Sequence, residues 1–460
     1  MSAHRPPRAR PSFAHPLAVG LALFAAGCTL LPEGAREERA RVEDAGAPYR
    51  EPPERRELPE IASPADSRTL LERAFLANGE LEVAYFEWRA AFERVEMAAG
   101  WPNTDLMPSF SYMFSSGSMK AWDRTTVTVG FDASENLQLP NKTRKAAEVA
   151  LAEARAAGER FRAAKFDLQR RVLEAWLDLA LTEERMRIAR ADLELLQIVA
   201  STAAPRVQAG APQQDLVRAE IAVREAENRL LSLEAQARGM RAVLNGVLGR
   251  DPQSPLELPQ ELPAPSPLPV DDRVILAQGV HGNPELASLL EQISGREDAL
   301  ELARLMVLPN VNPFAGFTGS VSQMVGAAVM LPTTVPEIRA GIAEARAMLH
   351  ASRARAKQTH LDQSAQFVAA LVALRDSERE AELFERAIHP AAELALSTTR
   401  QAYAAGSVGW TDLIEAQRTL LDVRLAIAEA RIERERRVAE IEELAGIDLE
   451  TLRREEEVRP

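Results

Sequence analysis

The sequence predicts a mainly α protein that also contributes to a membrane β-barrel: two copies of a long helical hairpin, each carrying two short strands. Three observations lead there. First, the chain says nearly the same thing twice. Gly210-Ala-Pro-Gln-Gln-Asp215-Leu-Val-Arg218 and Gly406-Ser-Val-Gly-Trp-Thr-Asp412-Leu-Ile-Glu415 each follow a long helical pattern and open a shorter one. The offset of 197 between Asp215 and Asp412 also carries Gly249 onto Gly446 without a gap. A duplication of this kind requires each half to form the same unit. Second, only 5% of the 460 residues are aromatic and 27% are charged, a balance suited to long packed helices rather than a bulky core. Third, short stretches in each half switch from a helical period to alternation, cleanly in the first half and more weakly in the second.

The N-terminus carries Arg5, Arg8 and Arg10, then an apolar run from Leu17 to Ala26, then Ala25-Ala26-Gly27-Cys28. The run is too short for a permanent membrane helix and reads as a signal peptide over 1–27. It is similar to a bacterial lipoprotein lipobox, with Ala25 where Leu is commoner. That similarity implies cleavage before Cys28 and lipidation of its thiol, and Thr29 after the cysteine implies outer-membrane sorting. The net charge of −13 becomes −16 once residues 1–27 and their three arginines are removed. Such a chain offers no basic face for nucleic acid. A single cysteine excludes a disulfide framework and any multi-cysteine metal site.

Residues 28–64 hold Pro32, Pro48, Pro52, Pro53, Pro59 and Pro64 and read as an extended, lipidated tether. The first repeat spans 65–249. It opens with a helix from Ser67 to Gly100, followed by strands within about 108–135. Phe110, Tyr112 and Phe114 share one face of the first strand, and Val127, Val129 and Phe131 share one face of the second. A helix then runs from about Asn141 to Ala204, with Pro205 kinking or closing it before a tip at about 205–215. A shorter helix returns from Gln213 to Leu248.

Residues 250–271 form a proline-rich linker. The second repeat, 272–448, keeps the order: Asn283-Pro-Glu-Leu286 answers Asn78-Gly-Glu-Leu81, and Leu308-Pro-Asn310 answers Trp101-Pro-Asn103. Its strands lie within about 312–331, where Phe317, Val321, Val325, Ala327 and Val329 give a weaker alternation and a shorter loop. A long helix runs from Glu337 to Ala405 with a kink at Pro390. A tip at about 403–412 and a helix from Asp412 to Ala445 follow, then a charged tail over 449–460. Each long helical stretch approaches seventy residues, roughly 100 Å at 1.5 Å per residue. Two short helices stacked end to end match one long one.

Four strands cannot close a barrel, and an open sheet edge cannot sit in lipid. Several copies must share one barrel, and three copies give twelve strands with a lumen.

With these elements in order, the chain resembles the TolC-like outer-membrane efflux protein family from about Leu70 to Gly446. The resemblance rests on Asn283-Pro-Glu-Leu286, the Leu-Pro pairs, Tyr403-Ala-Ala-Gly406 and Asp412-Leu-Ile-Glu-Ala-Gln417. The lipobox suits the lipidated branch serving tripartite efflux pumps. The resemblance implies a homotrimer with a twelve-stranded β-barrel in the bacterial outer membrane and an α-barrel tunnel in the periplasm. It further implies opening by a periplasmic adaptor coupled to an inner-membrane transporter. The tips at Gly210 and Asp215, and at Gly406 and Asp412, would meet the adaptor. Asp412 and Glu415 would ring the periplasmic aperture, although an acid in the first turn of a helix is also favoured by the helix dipole alone. Glycines 210 and 406 most simply stop helices.

No phosphate loop, zinc-protease motif or nucleophile elbow is present, so an enzyme is not expected. Neither a cofactor other than the lipid on Cys28 nor a metal site is expected. Met107, Met113, Met119, Met324 and Met330 cluster near the strands, and thioethers suit soft metals; methionine is more commonly apolar filler. Trp122 fits either an interfacial aromatic belt or a plain loop. Two other functions compete with a passive export conduit. A periplasmic adaptor would have one hairpin between long β-rich flanks, and a structural coiled-coil lipoprotein would have no barrel.

Overall fold

The structure, a computed structural model, describes residues 30–100, 106–114, 117–131, 138–208, 213–259, 262, 264–266, 268 and 272–449. Cys28 and the signal peptide, Trp101-Pro-Asn103, Gly210 and the tail beyond Leu449 lie outside the described residues. The helices are α1 (Ala35–Ala45), α2 (Ser67–Ala77), α3 (Gly79–Ala99), α4 (Pro140–Gln208) and α5 (Gln213–Val247) in the first half. The second half holds α6 (Asp272–Gly282), α7 (Pro284–Leu305), α8 (Val335–Leu383), α9 (His389–Ala404) and α10 (Trp410–Ala445). The chain divides into two compact units. One contains residues up to 44 with 87–157 and 289–355; the other contains 45–86, 158–288 and 356 onward.

The first unit holds the sheet. Strands β1 (Leu106–Tyr112), β2 (Thr125–Phe131), β3 (Asn310–Thr318) and β4 (Ser322–Met330) are antiparallel in the order β1-β2-β3-β4. The two repeats therefore meet at the β2–β3 ladder. The register sets Val127 opposite both Phe110 and Phe317, and Val129 opposite Pro108 and Ala315. Val325 and Val329 join that apolar face through their partners Ala315 and Val311. It is open to solvent in one protomer: Phe110 is 71% exposed and Val325 88%. The opposite face carries Ser109, Ser111, Thr126, Thr128, Asn310, Asn312 and Thr318. Met107, Met324 and Met330 lie on this polar face by register. None of the four strands contains an ionisable acid or base other than Tyr112.

The glycines that weaken the second hairpin's pattern have a use. A Cβ at Gly326 would lie 2.6 Å from Phe314 Cζ, and one at Gly130 2.9 Å from Phe314 Cβ. One aromatic residue thus closes against two residues without side chains, a known way of rescuing glycine in sheets. The hairpin turns at Gly319 with φ +50°, and Asp123 accepts from the Ser320 amide at 3.0 Å, pinning the turn to the β1–β2 loop.

The reading of 28–64 as an extended tether is corrected. Residues 35–45 are rich in Ala, Arg and Glu, all strong helix formers, and the prolines flank this run rather than interrupt it. It forms α1, and buried Glu38 accepts from Trp88 Nε1 at 2.9 Å. Arg39 pairs with Glu96, and Leu30 N donates to Ala99 O at 3.0 Å. In the second unit, Arg56 grips Glu82 through two bonds of 2.9 and 2.6 Å and covers the Tyr49 ring.

The single helix expected from Ser67 to Gly100 is also corrected, because Asn78 ends α2 and caps α3. Its Oδ1 accepts from Glu80 N and Leu81 N at 3.0 and 3.2 Å, while its Nδ2 donates to Val247 O. Asn283 repeats this geometry, accepting from Leu286 N at 2.8 Å and donating to Leu444 O at 2.7 Å. Pro284 follows at the first helical position, where its missing N–H costs nothing. Pro390 acts as expected but through a defined device. A π-turn, Phe384–Ile388, separates α8 from α9, and His389 N donates to Phe384 O. The extra residue relieves the clash between the proline ring and the preceding turn. Pro205 is accommodated inside α4, which continues to Gln208.

The second unit is held by slender cores. Leu70, Leu179, Leu244, Leu248 and Ile432 are buried together, and a separate cluster joins Ile275, Phe367, Leu374 and Ile441. Polar rungs link the helices. Arg185 pairs with Glu429 at 2.6 Å and Arg170 with Glu443 at 2.5 Å, while Arg431 reaches Glu385 at 2.5 Å and Arg241 reaches Glu183 at 3.1 Å. Each exposed pair contributes about 0.2–1 kcal/mol. The rungs set register more than they add stability.

Candidate gate and hairpin tips

The second tip is fully described. Helix α9 ends with Ala405 N donating to Gln401 O and Ser407 N to Ala402 O, both at 3.0 Å, around Gly406 at φ +75°. A side chain there would be strained by roughly 1–2 kcal/mol. The chain then extends through Gly409 and enters α10. Asp412 Oδ2 accepts from Gly409 N at 2.9 Å, so this carboxylate does the work of an N-terminal cap. Asp412 and Glu415 are both exposed, one turn apart on α10. Gly406 thus lies in the loop before α10, and Asp412 and Glu415 stand in that helix's first two turns. At the first tip, Gly210 lies outside the described residues, and so does the side chain of Asp215, which stands in the first turn of α5.

Beneath the acids, Trp410 and Leu413 turn inward. Trp410 is buried with Ala219 and packs edge-on to Tyr403 at 6.5 Å, with Val199, Ala200 and Leu216 alongside. This cluster fixes the second tip to α4 and α5 of the first hairpin. The sequence motif contained Trp410, but a tryptophan between a turn and an acid gives no sign of its partner.

Further along α4 and α10 stands a polar contact that sequence reasoning missed. Gln417 Nε2 donates to Asp192 Oδ1 at 2.5 Å, and both side chains are buried. Burial pushes the Asp192 carboxyl above its ordinary value, opposed by Gln417 and by the charges of Arg229 and Arg418. The pair lies in the wall of a cavity of about 270 Å³ whose other lining residues include Leu196, Ala226, Arg229 and Leu421. The partners are 225 positions apart, so only the fold reveals them. Nothing in this geometry offers a nucleophile and base in register. Among the described residues there is no cluster of three or more His, Cys, Asp or Glu fit for a metal ion. Among the described residues no helix is long and apolar enough to cross a membrane.

Comparison with known proteins agrees with this architecture. The chain is 21% identical over 373 residues to the cobalt-zinc-cadmium resistance protein CzcC of Cupriavidus metallidurans, covering 80% of this chain and 86% of that protein. Its fold is similar to that of the outer membrane protein VceC of Vibrio cholerae, with a TM-score of 0.69 at 18% identity over 83% of this chain and 96% of the other. The open MtrE outer membrane channel of Neisseria gonorrhoeae is similar to the same degree, with a TM-score of 0.69 at 18% identity over 83% and 89% of the two chains. The family model described as outer membrane efflux protein matches residues 70–250 and 282–447, two segments that each end just past one of the paired helix-stop glycines, Gly249 and Gly446. By that match, spanning most of its length, the chain belongs to the outer membrane efflux protein family.

Proposed function

We propose that three copies of this chain form a passive export channel of the bacterial outer membrane, continued by a helical tunnel through the periplasm. The observation that carries the reading is a sheet with an exposed apolar face and two unpaired edges, β1 and β4. In lipid such edges must be paired. Pairing β4 of one copy with β1 of the next satisfies them, and three copies make twelve strands. The polar face then lines the lumen and the Phe110–Val127–Phe317 face meets lipid.

The finer assignments follow from this arrangement. Cys28 carries the lipid anchor. The tips at Gly210–Asp215 and Gly406–Asp412 receive a periplasmic adaptor, which couples the channel to an inner-membrane transporter. Asp412 and Glu415 from three copies form an acidic ring at the periplasmic aperture, where their charges attract cations. The relative concerned with cobalt, zinc and cadmium resistance makes divalent cations the first cargo to test.

Planar-bilayer conductance of the purified trimer tests the reading. Stepwise conductance is expected, with weaker cation preference in the Asp412→Asn, Glu415→Gln double variant. A pure trimer that never conducts would overturn it. So would complete extraction without detergent after Cys28→Ser, the behaviour of a lipoprotein tether.

A further inference from the structure

The return helices α5 and α10 end in matched junctions, and the match breaks at one residue. Gly249 and Gly446 both adopt left-handed backbone, with φ +63° and +62°. Arg250 N donates to Asn245 O at 2.9 Å and Ile447 N to Glu442 O at 3.3 Å, closing both helix ends the same way. Asn78 and Asn283 cap the carbonyls of Val247 and Leu444, again equivalent positions. At the offset of 197, however, Asn245 in the first junction becomes Glu442 in the second.

Asn245 is fully buried and complete without titration. Its Nδ2 donates to Pro252 O and Ser254 O at 3.2 and 2.9 Å, and its Oδ1 accepts from Arg250 at 3.1 Å. Glu442 is 8% exposed. Its Oε1 accepts from Leu449 N at 3.1 Å and its Oε2 from Gln169 Nε2 on α4 at 3.0 Å. Glu442 is thus the side chain that ties the departing chain, with buried Leu449, back to α4.

The surroundings disfavour a charge there. On and beyond α10 stand Glu435, Glu443 and Asp448. From α4, Arg162 donates to Gly446 O, and Arg170 is held by Glu174 and Glu443. From α6 and α8, Asp272 and Arg375 pair with each other at 2.5 Å. Burial, aided by Asp448 and Glu435 and opposed by the two donors, pushes the Glu442 carboxyl up to about 7.

We propose that Glu442 is a proton-operated clasp: in its neutral form it holds residues 447–449 against α4, and its ionisation loosens that hold, whereas the Asn245 junction is indifferent to pH. The sign follows from linkage. The clasped form binds the proton more tightly than the released form, whose carboxyl has its ordinary value of 4.5. The clasp is therefore strongest below that value and weakens as pH rises toward about 7, then levels off.

The test is amide hydrogen exchange on the full-length protein in detergent, corrected for intrinsic rates, from pH 5 to 8. Protection at 447–449 is expected to fall by about fortyfold between pH 5 and 7, approaching one proton released per opening event within that window, while 250–254 stays flat. Glu442→Gln should remove the pH dependence. Two junctions that respond alike, or a Glu442→Gln protein retaining the wild-type profile, would overturn the proposal. The comparison of the two wild-type junctions decides the matter even if the variant fails to fold.

Discussion

Substituting Gly446 by alanine should destabilise the protein far more than the same change at Gly239. The backbone at Gly446 has φ +62°, a region that costs an L residue about 1–2 kcal/mol. The added methyl would also lie 2.6 Å from Gly282 O and 2.7 and 2.8 Å from the Pro284 ring. Both obstacles are backbone or rigid ring, so relief requires the end of α10 to move away from the α6–α7 junction. Overpacking of this kind costs about 1–3 kcal/mol, for a total of about 3 kcal/mol. Gly239 lies inside α5, and a methyl group there would meet nothing within 4 Å beyond the helix's own backbone, so alanine should stabilise by about 1 kcal/mol. At about 2.1 cal/mol/K of unfolding entropy per residue, the 460 residues lose about 3 °C of midpoint for Gly446→Ala and gain about 1 °C for Gly239→Ala. Thermal scans in detergent at fixed protein concentration measure both. A Gly446→Ala midpoint equal to or above that of Gly239→Ala would refute the claim that the paired glycines exist to let helix ends meet.

Other substitutions test other links. Gln417→Leu strips the buried Asp192 of its hydrogen-bond donor and should cost about 1–3 kcal/mol, whereas Asp192→Asn should be nearly neutral; equal midpoints for the two would refute the contact. On the sheet, Val325→Arg places a charge on the apolar face at a cost of about 2–4 kcal/mol near the bilayer midplane. Ala328→Arg, on the opposite face by register, should be tolerated. Heat-modifiable migration of the folded barrel on gels reads both, and equal loss for the two would reverse the assignment of faces.

The sequence was informative where physics is local or repeated. Alternation of Phe110, Tyr112, Val127 and Val129 located the first hairpin within a few residues, and the offset of 197 located matched helix ends. Asn78 was visible in its motif, but its role as a cap was not, because the apolar pattern runs through the break. Helix α1 was hidden by neighbouring prolines, although its own residues favour helix and its anchor, Trp88, lies outside the segment. Asp412 and Glu415 were legible as a pair of acids opening a helix. The Asp192–Gln417 contact and the packing of Trp410 on Ala219 depend on helices from different halves meeting in one register, which no local pattern encodes.

The uncharged strands have a consequence for biogenesis. Soluble proteins guard sheet edges with lysines, bulges or covering loops against unwanted pairing. Here β1 offers only Pro108 as a guard, and β4 offers none. A lone protomer is therefore a sticky species whose lifetime must be short or sheltered. Its folding is inseparable from its concentration, and the yield of the barrel is decided by how quickly a lone edge finds its own kind.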